Sequence, residues 1–253
     1  MATDVDSDLI AALRSARKLM VLTGAGISAE SGIPTFRDAL TGLWRNFDAA
    51  RLATPDAFRR DPALVWGWYE WRRMKVLSAR PNAAHGAIAQ LAGRVEQLSL
   101  FTQNVDDLHE RAGSQGVRHL HGSLHHPRCV DCARPFPLPP AAPAEPEGGR
   151  RPAPPTCPAC AGLIRPGVVW FDEALPADIL DQAFDACSSS DLLIVIGTSG
   201  TVYPVAQLPD VAKRAGCRIV QVNPAESALD RVCTWNLRGS AAQVLPALIS
   251  SAW

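Results

Sequence analysis

The sequence predicts an α/β fold, a parallel sheet with helices packed on both faces. Leu19-Met20-Val21-Leu22 is an apolar run without polar alternation, as a strand buried on both faces requires. Similar runs recur at 98–102, 168–171, 192–197 and 218–222, and helical patterns separate several of them. Small or polar residues follow the runs: Thr23–Gly26, Gln103–Asp106, Gly197–Ser199 and Asn223-Pro224. Right-handed crossovers gather such loops at the carboxyl ends of the strands, where ligands bind.

Each element has its own warrant. Residues 6–17 place Leu9, Ile10 and Leu13 on one side of a helix. Strand 18–23 runs into a Gly-rich turn that opens a helix, in which Gly24, Gly26 and Ala29 match the Rossmann-like G-x-G-x-x-G/A pattern. There the glycines let the backbone approach an anion, and the helix start supplies N–H groups and a dipole. No acidic residue closes a second strand to hold a ribose, so Asn223 or Ser199 is the candidate replacement. Phe58, Trp66, Trp68, Tyr69 and Trp71 mark 51–80 as a helical insertion over the sheet, with a helix over 62–77 that starts near Pro62. Further helices are expected near 82–93, 105–113, 177–187, 203–215 and 240–250. Residues 133–156 are Pro-rich and contain Gly148-Gly149, which reads as a loop or arm.

The 253 residues suit one large domain. Its divisions are expected at 1–50, 81–125 and 165–253 for the nucleotide-binding part, 51–80 for the insertion and 126–164 for a small metal module. A formal net charge of zero argues against a general grip on nucleic acid or anionic lipid. No apolar run has the length of a membrane span, and the acidic start lacks a secretory apolar region, so a cytoplasmic location and a monomer are expected. Of seven cysteines, four form Cys129-x-x-Cys132 and Cys157-x-x-Cys160. Two thiolates three positions apart occupy two corners of a tetrahedron, and a second pair fills the others, so a structural four-cysteine zinc ribbon is predicted. Four thiolates leave no open position for water, which argues against a catalytic zinc. His125 and His126 read as solvated neighbours, and Cys187, Cys217 and Cys233 as buried thiols.

The stretch from Thr23 to Asp38 resembles the NAD-binding signature of the sirtuins, the NAD-dependent protein lysine deacylases. The resemblance extends in order through Pro81-Asn82-Ala83-Ala84-His85, Gln103-Asn104-Val105-Asp106, His121-Gly122, both cysteine pairs, Val168-Val169-Trp170-Phe171, Gly197-Thr198-Ser199 and Val222-Asn223-Pro224. It implies a reaction in which the acyl oxygen of an acyl-lysine attacks the ribose carbon of NAD as nicotinamide departs, ending in deacylated lysine and O-acyl-ADP-ribose. His121 is then the general base, and Asn104 orders the ribose side and a water. Asp106 and the Ile33 backbone hold the carboxamide, Arg37 sits by the ribose and diphosphate, and Phe36 covers the reacting face. Gly24, Ala25, Gly26, Glu30, Pro34, Thr35, Gln103, Val105, Gly197, Thr198, Ser199, Asn223, Pro224, Ala225 and Ala241 complete the implied NAD site.

The resemblance also bears on the acyl group. Tyr69 and Arg72 are three apart on one helix face, as in the branch that removes succinyl, malonyl or glutaryl groups. A guanidinium binds a carboxylate in bidentate fashion, and Ala53 matches a small residue of that branch. The acylated peptide is expected to add a strand beside Val169, Trp170 and Phe171. Where relatives usually have Gly after Trp-Phe, this chain has Asp172. A plain deacetylase, an ADP-ribosyltransferase and a zinc-ribbon protein that only senses NAD are the competing readings.

Overall fold

A computed structural model describes residues 6–35, 48–139 and 150–253. Helix α1 (Ser7–Ser15) precedes β1 (Lys18–Thr23). Then come α2 (Ala49–Leu52), α3 (Pro55–Arg60), α4 (Pro62–Ser78), α5 (Ala83–Leu91) and β2 (Gln97–Thr102). After α6 (Leu108–Arg111) and β3 (Arg118–His119), the chain forms the short strands β4 (Arg128–Cys129) and β5 (Ile164–Arg165). It closes with α7 (Ala177–Ser189), β6 (Leu192–Ile196), α8 (Leu208–Arg214), β7 (Arg218–Asn223), β8 (Trp235–Arg238) and α9 (Ala241–Ala252).

Six strands form one sheet in the order β3-β2-β1-β6-β7-β8, and every pair is parallel. Side-chain alternation divides β1 between two cores. Leu19 and Val21 join the core with α1, α5 and α9, whereas Met20 and Leu22 join the one with α7 and α8. Strands buried on both faces leave no polar position, which is why β1 and β6 are so uniformly apolar. The strand order reverses direction between β1 and β6, where Thr23 pairs with Ile196. That is the topological switch point, and the crevice beyond it is where open α/β sheets bind ligands.

A third core lies beside the sheet. It joins Phe58, Trp66, Trp68, Tyr69 and Trp71 of α3 and α4 to Cys129, Cys157, Ile164 and Trp170. Helix α4 begins with Pro62 and is capped by the Asp61 carboxylate, which accepts the Leu64 N–H at 3.0 Å. The nearly buried Glu70–Arg73 pair is bidentate, at 2.9 and 3.0 Å, and Arg73 also donates to the Pro139 carbonyl.

Three expectations need correction. Residues 168–171 are not a sheet strand, and Val168 makes only an isolated bridge to Gly122. Their backbone instead spans two neighbours: the Val169 N–H donates to the His121 carbonyl at 2.8 Å and the Phe171 N–H to the Ala53 carbonyl at 2.9 Å. No α-helix follows the Gly-rich turn directly. Two single-turn 3₁₀ segments, Ala25–Ile27 and Ala29–Ser31, end at Gly32 with φ 81°. The helix expected at 105–113 shrinks to α6, whose N-cap is Asp107, and Asp106 just before it accepts the Leu108 N–H at 3.1 Å. The edge strands β3 and β8 were not anticipated. One is two residues long, and the other alternates in burial without an apolar run.

Candidate active site

The four loops expected at the carboxyl edge do meet there. The Gly24 N–H donates to the Ile196 carbonyl and the Gly26 N–H to the Gly197 carbonyl, both at 2.9 Å. The glycines make room for this loop-on-loop contact. A Cβ on Gly24 would lie 2.8 Å from the Gly197 oxygen, and one on Gly26 would lie 2.7 Å from the Gly197 Cα. With those two N–H groups committed, they are not free donors for phosphate. Gln103 Nε2 donates to Thr198 Oγ1 at 3.0 Å, and Asn223 Nδ2 donates to the Thr198 carbonyl at 2.9 Å. Thr198 is thus the hub that binds the β2, β6 and β7 loops together.

Beneath the β1 loop lies a buried polar triad. Asn104 Nδ2 donates to Ser28 Oγ at 3.1 Å, and Ser28 Oγ donates to Asp106 Oδ2 at 3.0 Å. All three are buried, and burial raises the Asp106 pKa against the Leu108 and Ser28 hydrogen bonds that favour its charge. Sequence reasoning passed over Ser28, although it lies inside the Gly-rich signature. Ile33, Pro34, Thr35 and Val105 border the same region, with Ile33 buried. Phe36 and Arg37 lie outside the described residues.

His121 stands on the loop after β3, and its Nδ1 lies 3.0 Å from the Gln103 carbonyl. A carbonyl only accepts, so Nδ1 carries the proton and Nε2 keeps its lone pair. Burial lowers the pKa of His121, with a smaller opposite effect from the Gln103 carbonyl, so the ring is neutral near pH 7.

Several of the expected NAD residues also make contacts within the fold. Glu30 Oε2 accepts the Ala242 N–H at 2.8 Å and so caps α9, whose first residue, Ala241, is buried. Asn223 ends β7 and Pro224 and Ala225 follow it, where the Ala225 carbonyl accepts from Arg238 at 3.3 Å. Ser199 is half-buried beside them, its hydroxyl 2.8 Å from that of Thr201. Ala25, in the first 3₁₀ turn, is also half-buried.

The segment 168–173 is braced from beneath. Arg165 holds Glu173 with two bonds of 2.5 and 2.8 Å, donates to the Val168 carbonyl at 3.1 Å, and lies 3.5 Å from the Trp170 ring centroid. Glu173 in turn accepts the Trp170 N–H at 2.9 Å. Phe171 is left 42% exposed at the end of this brace. Asp172 adopts φ 68°, the left-handed region that explains why glycine suits this position. Asp172→Gly is expected to relieve about 1 kcal/mol of backbone strain, raising Tm by about 2–4 °C. A lower Tm in a thermal melt would contradict this.

Tyr69 is buried against Trp68 and Trp170, with ring centroids 4.6 and 6.5 Å away. Arg72 is half-buried, 5.1 Å from the Trp68 ring centroid, and lines an open cleft with Ile33, Pro34, Thr35 and Lys75. Burial lowers the Arg72 pKa, and Tyr69 and Asp106 lie close enough to oppose that shift. Ala53 is buried under the Phe171 backbone.

The four paired cysteines converge, with their sulfurs all within 4.8 Å of one another. Cys129 and Cys160 are 3.4 Å apart, and Cys132 and Cys157 are 3.7 Å apart. Four thiolates around zinc at about 2.3 Å stand about 3.8 Å from one another, so the donor set fits the metal. Both knuckles fold alike: Ala133 and Ala161 adopt φ 56° and 62°, and each N–H donates to the carbonyl of the first cysteine of its pair. The N–H groups of Ala159 and Cys160 aimed at Cys157 bring its thiol down to about 7, which favours the ligating thiolate. His125 is not loose in solvent, because its Nε2 lies 3.5 Å from Asp107. About one zinc per chain is expected from elemental analysis, and chelation should unfold the module and inactivate slowly. A folded, active, metal-free protein would contradict both.

The fold and its crevice define a parallel α/β nucleotide-binding protein with a four-cysteine module beside the sheet. A family model described as Sir2 family matches residues 24–204, and the chain belongs to that family. It is 58% identical to an NAD-dependent protein deacylase of Methylococcus capsulatus, covering 98% of this chain and 97% of that protein. The identity is also 58% to NAD-dependent protein deacylase 1 of Pseudomonas aeruginosa, over 95% and 96% of the two chains. Among solved structures, a Sir2 homologue in complex with NAD superposes with a TM-score of 0.90 at 45% identity, covering 99% of this chain and 95% of that one. A Sir2–p53 peptide–NAD⁺ structure gives 0.81 at 31% identity, over 96% and 97%. Among the described residues, no helix is long and apolar enough to cross a membrane.

Proposed function

We propose that this chain is an NAD-dependent protein-lysine deacylase that prefers acidic acyl groups, succinyl or malonyl, and retains some deacetylase activity. The geometry of His121 carries the deacylase reading. Its Nδ1 is tied to Gln103, so the remaining ring nitrogen is an unprotonated base beside the crevice. NAD supplies the electrophilic ribose carbon and accepts the acyl group. The chain's residues hold and orient it. Asp106, kept in place by Ser28 and Leu108, holds the carboxamide with the Ile33 backbone. Asn104 orders the ribose side, and His121 takes the proton from the ribose hydroxyl. The loops centred on Thr198 and Asn223 receive the adenosine half. An acyl-lysine segment of a protein substrate lies along Val169, Trp170 and Phe171 and the loop near Ser199.

The acidic preference rests on Arg72, a half-buried cation lining the cleft beside Ile33 and close to Tyr69. Low local dielectric strengthens its pull on an acyl carboxylate, which would give this site an advantage over acetyl. The boundaries 1–50, 81–125 and 165–253, 51–80, and 126–164 are the divisions we propose for the nucleotide-binding, insertion and zinc parts. The test is mass spectrometry after incubation with NAD and matched acetyl-, succinyl- and malonyl-lysine peptides. Nicotinamide and O-acyl-ADP-ribose should form, faster from the acidic peptides. ADP-ribosylated protein without deacylation would make it a transferase, and no NAD turnover would leave a sensing role.

A further inference from the structure

His119, on β3, stands two residues before His121 and has no role in the reading above. Its Nδ1 lies 2.9 Å from the Asn104 carbonyl oxygen, and its Nε2 lies 2.7 Å from Glu110 Oε1 on α6. A carbonyl and an ionised carboxylate only accept, so both bonds require a proton on each ring nitrogen. His119 is therefore imidazolium, unlike the neutral His121. Two successive carbonyls of the β2 loop, Gln103 and Asn104, are thus gripped by two histidines, one neutral and one charged. The charged ring has no lone pair and cannot act as the base. Its purchase on Asn104 continues through the Asn104 amide to Ser28 and Asp106.

We infer that His119 and Glu110 are a positioning pair that holds the Asn104 backbone, and through it the Asn104–Ser28–Asp106 triad, in register with His121. The inference rests on the reading of Asn104 and His121 as reaction-site residues.

The groups that face His119 among the described residues are Glu110 and His109 from α6 and Asp106 from the β2 loop. Burial alone would lower the His119 pKa. The Glu110 hydrogen bond, the Asn104 carbonyl and the Glu110 and Asp106 charges outweigh it, and the value is raised. His109 is pushed down to about 3, chiefly by burial, and so stays neutral beside it. A raised histidine pKa means that the pair is intact below the ordinary value of about 6.5. It is lost as pH rises through the folded value.

The test is the pH profile of kcat/KM for deacylation in wild type and Glu110→Gln, together with ¹⁵N NMR of the histidine rings. Wild-type His119 should be doubly protonated at pH 7. Glu110→Gln should move the alkaline limb of the profile down by about 1 pH unit or more, with the acid limb, set by His121, unchanged. Glu110→Asp, which keeps the charge, should restore part of the shift, and both variants should melt near wild type. Coincident alkaline limbs, or a neutral His119 in the wild-type spectrum, would overturn the inference. Absence of any NAD-dependent deacylation by wild type would instead sink the functional reading, and the ring spectra would still decide the state of His119.

Discussion

His121→Ala is expected to abolish turnover while leaving the fold and NAD affinity nearly intact. A positioned general base contributes about 10²–10⁴-fold to rate, and the base acts only after NAD is in place. Among the described residues the side chain makes one hydrogen bond, to the Gln103 carbonyl, which water can satisfy in place of the imidazole. The loss should therefore fall on kcat rather than on binding. NAD binding followed by calorimetry and deacylation followed by nicotinamide release separate the two. Near wild-type turnover would remove His121 from the mechanism. Because burial depresses its pKa, the wild-type acid limb should lie below the ordinary histidine value, with activity lost as His121 gains its proton.

Arg72→Met should damage desuccinylation far more than deacetylation. An acetyl group has no carboxylate, so the substitution removes nothing that it uses. For succinyl, losing a desolvated, charge-assisted pair costs about 2–5 kcal/mol, which is about 30-fold or more in kcat/KM. Most of this should appear in KM, since the carboxylate is bound alike in ground and transition states. Methionine keeps an apolar stem against the Trp68 ring, where the guanidinium now lies, so the packing of α4 should survive. Tyr69→Phe should act in the same direction but more weakly, because it removes one neutral donor. Equal losses on both peptides would show that Arg72 serves the fold, and the acidic preference would fall.

How much of this was legible in the chain depended on whether burial left a linear trace. β1, β6 and β7 are buried on both faces, so their apolar runs betray them. The same rule misread Val168–Phe171. That stretch is apolar because it meets the aromatic core of α3 and α4, and its N–H groups are spent on the His121 and Ala53 carbonyls instead of a ladder. Cysteine spacing located the metal module, because a knuckle is a local device. The Gly-rich loop was recognised, but the packing role of its glycines was not. Their missing Cβ atoms make room for the β6 loop, which is remote in sequence. Glu30, expected at the cofactor site, also accepts an N–H at the start of α9, a partner far along the chain. Ser28, His119 and Glu110 escaped notice for a related reason. Each matters through a long-range hydrogen bond, and none belongs to a periodic pattern.

Two of the zinc-site cysteines, Cys129 and Cys157, are packed in the same core as Tyr69, Trp68 and Trp170. The core behind α4 is therefore shared property, built by the aromatic helix together with the metal knuckles. A chimaera that borrows only α4 to acquire a new acyl preference would leave its aromatic face against foreign knuckles, with voids where Ile164 and Trp170 now sit. The aromatic helix and the metal module are packed as a pair, and an engineer who moves one must carry both across together.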